Sequence, residues 1–276
     1  MEGFVGTNKS YKRYLVIALM SGLFLLRFPL LIIVSFVPIN VGKNVIFVLF
    51  MNGTYLLTSL LLILERKRLA ELKFNLFAVI IFVLAPIVRI FAYQELRITT
   101  PFWDLWFPAG MSILMGVFCV FQYKRLQRDN AKYYIKWILI SVIVGALIAI
   151  VSSGVDMMVD PQTRGNMKAG VSILISAFFI QLANAAVSEE PLFRGFLWGY
   201  LENKGWKQYR ILLFQAGLFG LGHIYYLPEN PIYFLWTILI PIILGFLVMK
   251  SKSVGSSMIA HGMVNSLSDM IQHYTW

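Results

Sequence analysis

What most limits this chain is a succession of long apolar runs broken only by short charged segments. Backbone N–H and C=O groups in lipid must be paired within the element itself, and about 20 apolar residues suffice for one helical crossing. Runs near that length occur at about Tyr14–Pro38, Asn44–Leu64, Phe74–Tyr93, Leu105–Gln122 and Ile135–Gly154. Four more follow at about Ala169–Tyr200, Ile211–Leu227, Ile232–Met249 and Gly255–Gln272. The expected fold is therefore all-α, a polytopic transmembrane helical bundle of about 8–9 helices, the lower number applying if the short last run lies in the interface. One integral membrane domain is expected over residues 1–276, with helices free of motifs at 14–154 and motif-bearing helices at 169–272. The first run is too long for a signal-peptide core, carries Arg27 and Pro29, and lacks a small-residue cleavage site, so it reads as a retained helix.

Composition agrees: 59% of residues are hydrophobic and the mean hydropathy is +0.74, against roughly 45–50% apolar residues in soluble domains. The net charge of +11 could suggest nucleic acid, but the basic residues sit in short clusters between apolar runs, where topology and anionic lipid account for them. Clusters at Lys9–Arg13, Arg66–Lys73, Lys124–Lys132, Lys204–Arg210 and Lys250–Lys252 occupy every second loop, and the intervening loops are poorer in Lys and Arg. The positive-inside bias then predicts a cytoplasmic amino terminus and, with nine spans, an outer carboxyl terminus. Cys119 is the only cysteine, which excludes an intramolecular disulfide and a cysteine metal cluster.

Against this background Ser188-Glu189-Glu190-Pro191-Leu192-Phe193-Arg194-Gly195 stands out, three charged side chains inside the apolar run from Ala169 to Tyr200. A charge at mid-bilayer costs about 2.5–3.5 kcal/mol on insertion scales, so these groups are expected to face protein or water and to have a function. Glu190 and Arg194 are i and i+4, neighbours on one helix face and an expected pair. Glu189 points about 100° away and is left free, and desolvation makes such a carboxylate a better proton acceptor. His261 and Asn265 are likewise i and i+4 and can donate into one cavity, while Phe219, a turn before His223, can wall it. The glycines Gly217, Gly220 and Gly222 would admit a close helix. Counted from about Leu201, Arg210 and Ser253, Glu189, His223, His261 and Asn265 lie about 12, 13, 8 and 12 residues in, roughly 18, 20, 12 and 18 Å deep at about 1.5 Å per residue.

Each piece has a plainer reading taken singly: a structural ion pair for Glu190 with Arg194, a packed histidine for His223, interhelical hydrogen bonding for His261 with Asn265. Two of the three histidines at the depth of the glutamates favour a shared site. His273 reads as interfacial, and Arg27, Arg89 and Asp269 as structural or snorkelling groups. There is no His-Glu-x-x-His motif and no pair of mid-membrane aspartates. Ser257 stands four residues before His261, a spacing that on one helix seldom gives in-line nucleophile geometry.

Glu-Glu-x-x-Phe-Arg-Gly at Glu189 to Gly195, Phe-x-x-x-His at Phe219 to His223 and His-x-x-x-Asn at His261 to Asn265 together resemble the three motifs of the CPBP (Abi) intramembrane proteases. That family includes the CAAX prenyl endopeptidase that trims prenylated Ras-like proteins, and bacterial members linked to bacteriocin maturation or self-immunity. The resemblance covers about the last 110 residues. It implies a site buried in a bacterial plasma membrane and open toward the cytoplasm, acting on a peptide or membrane-protein substrate. By the same resemblance Glu189 and His223 activate a water, His261 and Asn265 hold the oxyanion, and Glu190 and Arg194 orient the helix and the base. The family has also been described as metal-dependent, for which Glu189, His223 and His261 would be the zinc set. A mechanism with no cofactor is favoured, because His261 and Asn265 suit an oxyanion hole and Asn is a poor zinc ligand. A non-catalytic scaffold or immunity protein, and a proton-coupled transporter, are the alternatives.

Overall fold

The computed structural model describes residues 3–30, 43–98, 102–122, 130–159, 171–228 and 230–272. The regular structure of these residues is helical throughout. In order it comprises α1 (Gly3–Leu25, continued by a π-helical stretch Leu26–Leu30), α2 (Lys43–Leu64), α3 (Leu76–Glu95), α4 (Phe102–Gln122) and α5 (Ala131–Val159). There follow α6 (Val171–Asn203), α7 (Gln208–Leu221, then a 3-10 turn Ile224–Tyr226), α8 (Pro231–Ser251) and α9 (Val254–Gln272). Lys124, Arg125 and Arg128 of the third basic cluster, His273, and the end of the first run at Pro38 lie outside the described residues. Among the described helices, α3, α6, α8 and most of α5 are long and apolar enough to cross a membrane, and Val48–Leu64 and Asp104–Phe118 are shorter apolar pieces.

The run at Ile211–Leu227 does not form one continuous span. Its helix, α7, stops at Leu221 after 14 residues, shorter than a bilayer requires. Gly220 and Gly222 bracket that end, and the His223 N–H turns back to Gly220 O at 2.9 Å, a tighter bond than the α-helical ladder makes. His223 therefore stands just past a helix end at membrane depth, where non-helical backbone is tolerated only against protein or a cavity.

α6 is the element around which the others are placed, and it is not a regular α-helix. A single α-helical turn, Val187–Glu190, lies between π-helical stretches at Leu182–Ala186 and Pro191–Leu197. Pro191 has no N–H to donate to Val187, which removes one rung of the ladder and favours the wider winding. In the first stretch the Val187 N–H donates to Leu182 O, five residues back. Ala183 O, its partner in a regular helix, receives the Tyr55 hydroxyl from α2 at 2.9 Å.

The basic end of the bundle is tied together by close backbone approach. A Cβ on Gly195 would lie 2.6 Å from the Phe74 ring, and one on Gly199 would lie 3.0 Å from Leu72 Cα, so the α2–α3 connection sits directly on α6. Asn75 caps α3 by accepting from the Ala78 N–H at 3.1 Å and also takes the Ser253 hydroxyl at 2.7 Å. The Val254 N–H reaches Lys73 O at 3.0 Å, and Lys73 Nζ reaches Glu202 at 2.6 Å. Two connections and the last turn of α6 are thereby locked against one another, which sets where α9 enters. Farther in, α9 packs on α5 so closely that a Cβ on Gly145 would lie 2.5 Å from Ala260 O.

That contact is with backbone and cannot be relieved by a rotamer change. Gly145→Ala is expected to lower stability by about 1–3 kcal/mol, read as a fall in the midpoint of thermal unfolding in detergent. Gly154→Ala on the same helix, with nothing within 4 Å of its Cβ, is the control and is expected to hold or raise that midpoint.

Candidate active site

Three elements deliver the motif residues to one place. The α-helical turn of α6 carries Glu189 and Glu190, His223 stands two residues past the end of α7, and the middle of α9 carries His261 and Asn265. Glu189, His223, His261 and Asn265 all line one cavity of about 300 Å³. Glu190 and Arg194 do not line it; both are fully buried behind it. Phe219 walls the cavity, its ring stacked on that of His223 at 4.5 Å and edge-on to that of His261 at 6.2 Å.

Hydrogen bonds assign directions to these groups. Arg194 Nη1 donates to Glu190 Oε1 at 3.1 Å, and its Nη2 donates to Pro241 O at 3.3 Å. Glu190 Oε1 also accepts from His261 Nδ1 at 2.9 Å. A carboxylate beside a guanidinium has no proton to offer, so Nδ1 carries the hydrogen and Nε2 is the atom left for the cavity. That Nε2 lies 4.0 Å from Glu189 Oε2. His223 Nδ1 sits 2.8 Å from Phe219 O, and since a carbonyl only accepts, Nδ1 donates. The Nε2 of a neutral His223 is then a lone-pair acceptor. Glu190 thus holds an imidazole as well as an arginine, and the two motif histidines have their Nδ1 atoms committed by different partners.

Glu189 is not free, contrary to the expectation from spacing. Its Oε1 is paired with the guanidinium of Arg27, from the π-helical stretch after α1, and both side chains are buried. Arg27 lies 5.4 Å from the centroid of the Phe50 ring and itself lines the cavity. The pair spans 162 positions, beyond any helical spacing rule. The available signal was the one that exposed Glu189, an ionisable residue in an apolar run. Glu189 Oε2 has no hydrogen-bond partner among the described residues.

Asn184 was also missed. It lines the cavity from the first π-helical stretch of α6, and its Nδ2 donates to the Tyr93 hydroxyl at 3.4 Å. Arg89 and Asp269 are held away from the site: Arg89 pairs with Asp104 at 3.2 Å, and Asp269 accepts from Gln181 at 2.5 Å. Ser257 donates to Val254 O at 2.9 Å and does not line the cavity. Gly220 admits α8, since a Cβ there would lie 2.6 Å from Ile238, whereas nothing lies within 4 Å at Gly217. Among the described residues no three His, Cys, Asp or Glu side chains are gathered as a metal-binding set.

Apolar helices arranged around a buried carboxylate, two imidazoles and a carboxamide define a class: an integral membrane protein with an ionisable site among its helices. Residues 170–267 match the family described as Rce1-like, type II CAAX prenyl endopeptidase Rce1-like, in keeping with the CAAX proteases that the three motifs resemble. No curated protein and no solved structure matches the chain.

Removing one partner of a buried ion pair strands the other and costs about 3–5 kcal/mol. Arg27→Gln is expected to destabilise the protein by about that much, whereas Arg27→Gln with Glu189→Gln is expected to destabilise it by less than the sum of the single changes. Denaturant unfolding of the three variants in detergent measures the coupling; additivity would separate Arg27 from Glu189.

Proposed function

We propose that this protein is an intramembrane endopeptidase that hydrolyses a peptide bond with a glutamate-activated water. What supports this reading is above all one observation: Glu189, His223, His261 and Asn265, from three elements, line a single cavity that lies among apolar helices. The family match supports peptidase activity at the level of the family.

The chemistry follows from which atoms are committed. Glu189 Oε2, without a hydrogen-bond partner among the described residues, accepts a proton from water, and His223 Nε2 accepts the second hydrogen and aims the oxygen at the carbonyl carbon. Attack forms the carbon–oxygen bond and moves an electron pair onto the carbonyl oxygen. Asn265 Nδ2 and His261 Nε2 donate to that oxyanion. Because His261 Nδ1–H is directed at Glu190, donation from Nε2 requires the imidazolium form, with Glu190 as its counter-charge. Collapse of the intermediate breaks the carbon–nitrogen bond, and Glu189 returns its proton to the leaving amine. Arg27 holds the other oxygen of Glu189 and fixes which oxygen faces the water.

Glu190 and Arg194 act through position. Buried behind the cavity, they anchor α6 to α8 through Pro241 O and hold His261. The substrate is a peptide or membrane-associated protein reaching the site from the basic end, which the positive-inside bias assigns to the cytoplasm. The scheme needs no metal, because Glu189 and His223 activate the water and Asn265 and His261 hold the oxyanion.

Glu189→Ala and His223→Ala are expected to abolish cleavage, Glu189→Ala also lowering stability because it strands Arg27, and Asn265→Ala to lower kcat by about 10²–10³-fold, the usual effect of deleting one oxyanion donor. Mass spectrometry of the membrane peptidome, or of candidate peptides incubated with each variant, measures this; cleavage unchanged in Glu189→Ala would refute the proposal. Cleavage is also expected to survive 1,10-phenanthroline, and inhibition reversed by added zinc would favour metal chemistry.

A further inference from the structure

A second cavity, of about 650 Å³ against about 300 Å³ for the first, opens between α1 and the carboxyl-terminal end of α6, and the two share no lining residue. Its polarity is graded. At the basic end it is bordered by Lys12, Arg13, Arg68 and Lys204, and deeper by Val16, Met20, Phe24 and Leu197. Lys12 and Phe24 are about twelve residues apart on one helix, a separation of about 18 Å along its axis.

Not all the charge at the mouth is neutralised. Glu65, itself buried, takes Lys12 at 3.0 Å and Arg68 at 3.3 Å, and Arg68 also pairs with Glu71 at 2.8 Å. Arg13 and Lys204 have no carboxylate partner among the described residues. Between the charged and apolar zones lies Tyr200, whose buried hydroxyl has no hydrogen-bond partner among the described residues. A ligand suited to this shape is anionic where it meets Arg13 and Lys204, has an oxygen to accept from Tyr200, and is a long hydrocarbon below.

We propose that this cavity binds an anionic glycerophospholipid of the surrounding leaflet, its phosphate between Arg13 and Lys204, an ester oxygen at Tyr200 and one acyl chain along Val16, Met20 and Phe24. Charge complementarity selects the headgroup, since each basic side chain near the membrane surface adds attraction for anionic lipid. The apolar zone selects a lipid over free phosphate, because an acyl chain covers Val16, Met20 and Phe24 whereas inorganic phosphate leaves them uncovered. The bound lipid would seal α1, the helix that supplies Arg27, against α6. The site does not depend on peptidase activity.

Native mass spectrometry of the full-length protein in neutral detergent tests this with phosphatidylglycerol, phosphatidylcholine and inorganic phosphate as probes. Phosphatidylglycerol is expected to stay bound and phosphatidylcholine to be lost. Arg13→Gln and Lys204→Gln are each expected to weaken phosphatidylglycerol binding about fivefold, and about thirtyfold together. Met20→Trp, which fills the apolar zone and leaves the charges in place, is expected to weaken it as well and serves if the charge variants do not fold. Equal occupancy by phosphatidylcholine, undiminished phosphatidylglycerol binding in the variants, or full competition by inorganic phosphate at equal concentration would each overturn the proposal.

Discussion

Two carboxylates buried side by side in an apolar bundle would not be tolerated unless each had its own partners, and the structure is arranged around supplying them. Glu190 takes Arg194 from its own helix and His261 from α9; Glu189 takes Arg27 from beyond α1. The partners of Glu190 are close in sequence or carry a motif, whereas the partner of Glu189 comes from the opposite end of the chain. Desolvated charges repel water-poor surroundings more than they attract a loosely placed counter-ion, so geometry has to be tight on both sides. This is why α1, α6 and α9 must meet at one level.

The irregular winding of α6 serves that meeting. Two π-helical stretches flank the turn that bears the glutamates, and such interruptions are frequent at functional sites because they redirect side chains without ending the helix. Tyr55 satisfies a carbonyl that the first stretch displaces, and Gly195 and Gly199 let the α2–α3 connection rest on the second and on the turn beyond it. The glycine of the first motif is thus explained by the Phe74 ring next to it, not by contact with substrate. The end of α7 completes the arrangement, leaving His223 with one nitrogen on Phe219 O and the other available to the cavity.

Two cavities of different character follow from this arrangement. The one lined by Glu189 is small, ringed by aromatic side chains and backed by Glu190 and Arg194, which neutralise one another. The other is larger, has unneutralised cations at its mouth and hydrocarbon below. A row of edge-on phenylalanines runs between them, from Phe24 in the wall of the larger through Phe193 to Phe219 in the wall of the smaller, with rings 6.3 and 5.3 Å apart.

By itself the sequence determined the helical class, nearly every helix position and the identity of the motif residues, because apolar run length and charged residues in lipid are local properties that need no knowledge of neighbours. The Glu190–Arg194 pair was legible for the same reason, being set by one helical turn. Tertiary structure decided the rest. The Arg27–Glu189 pair, the hold of Glu190 on His261, the part of Asn184 in the cavity wall and the early end of α7 all depend on segments tens to hundreds of residues apart, or on how one helix yields to another. No periodicity encodes such contacts, since they are selected by which arrangement leaves the fewest buried charges without a partner.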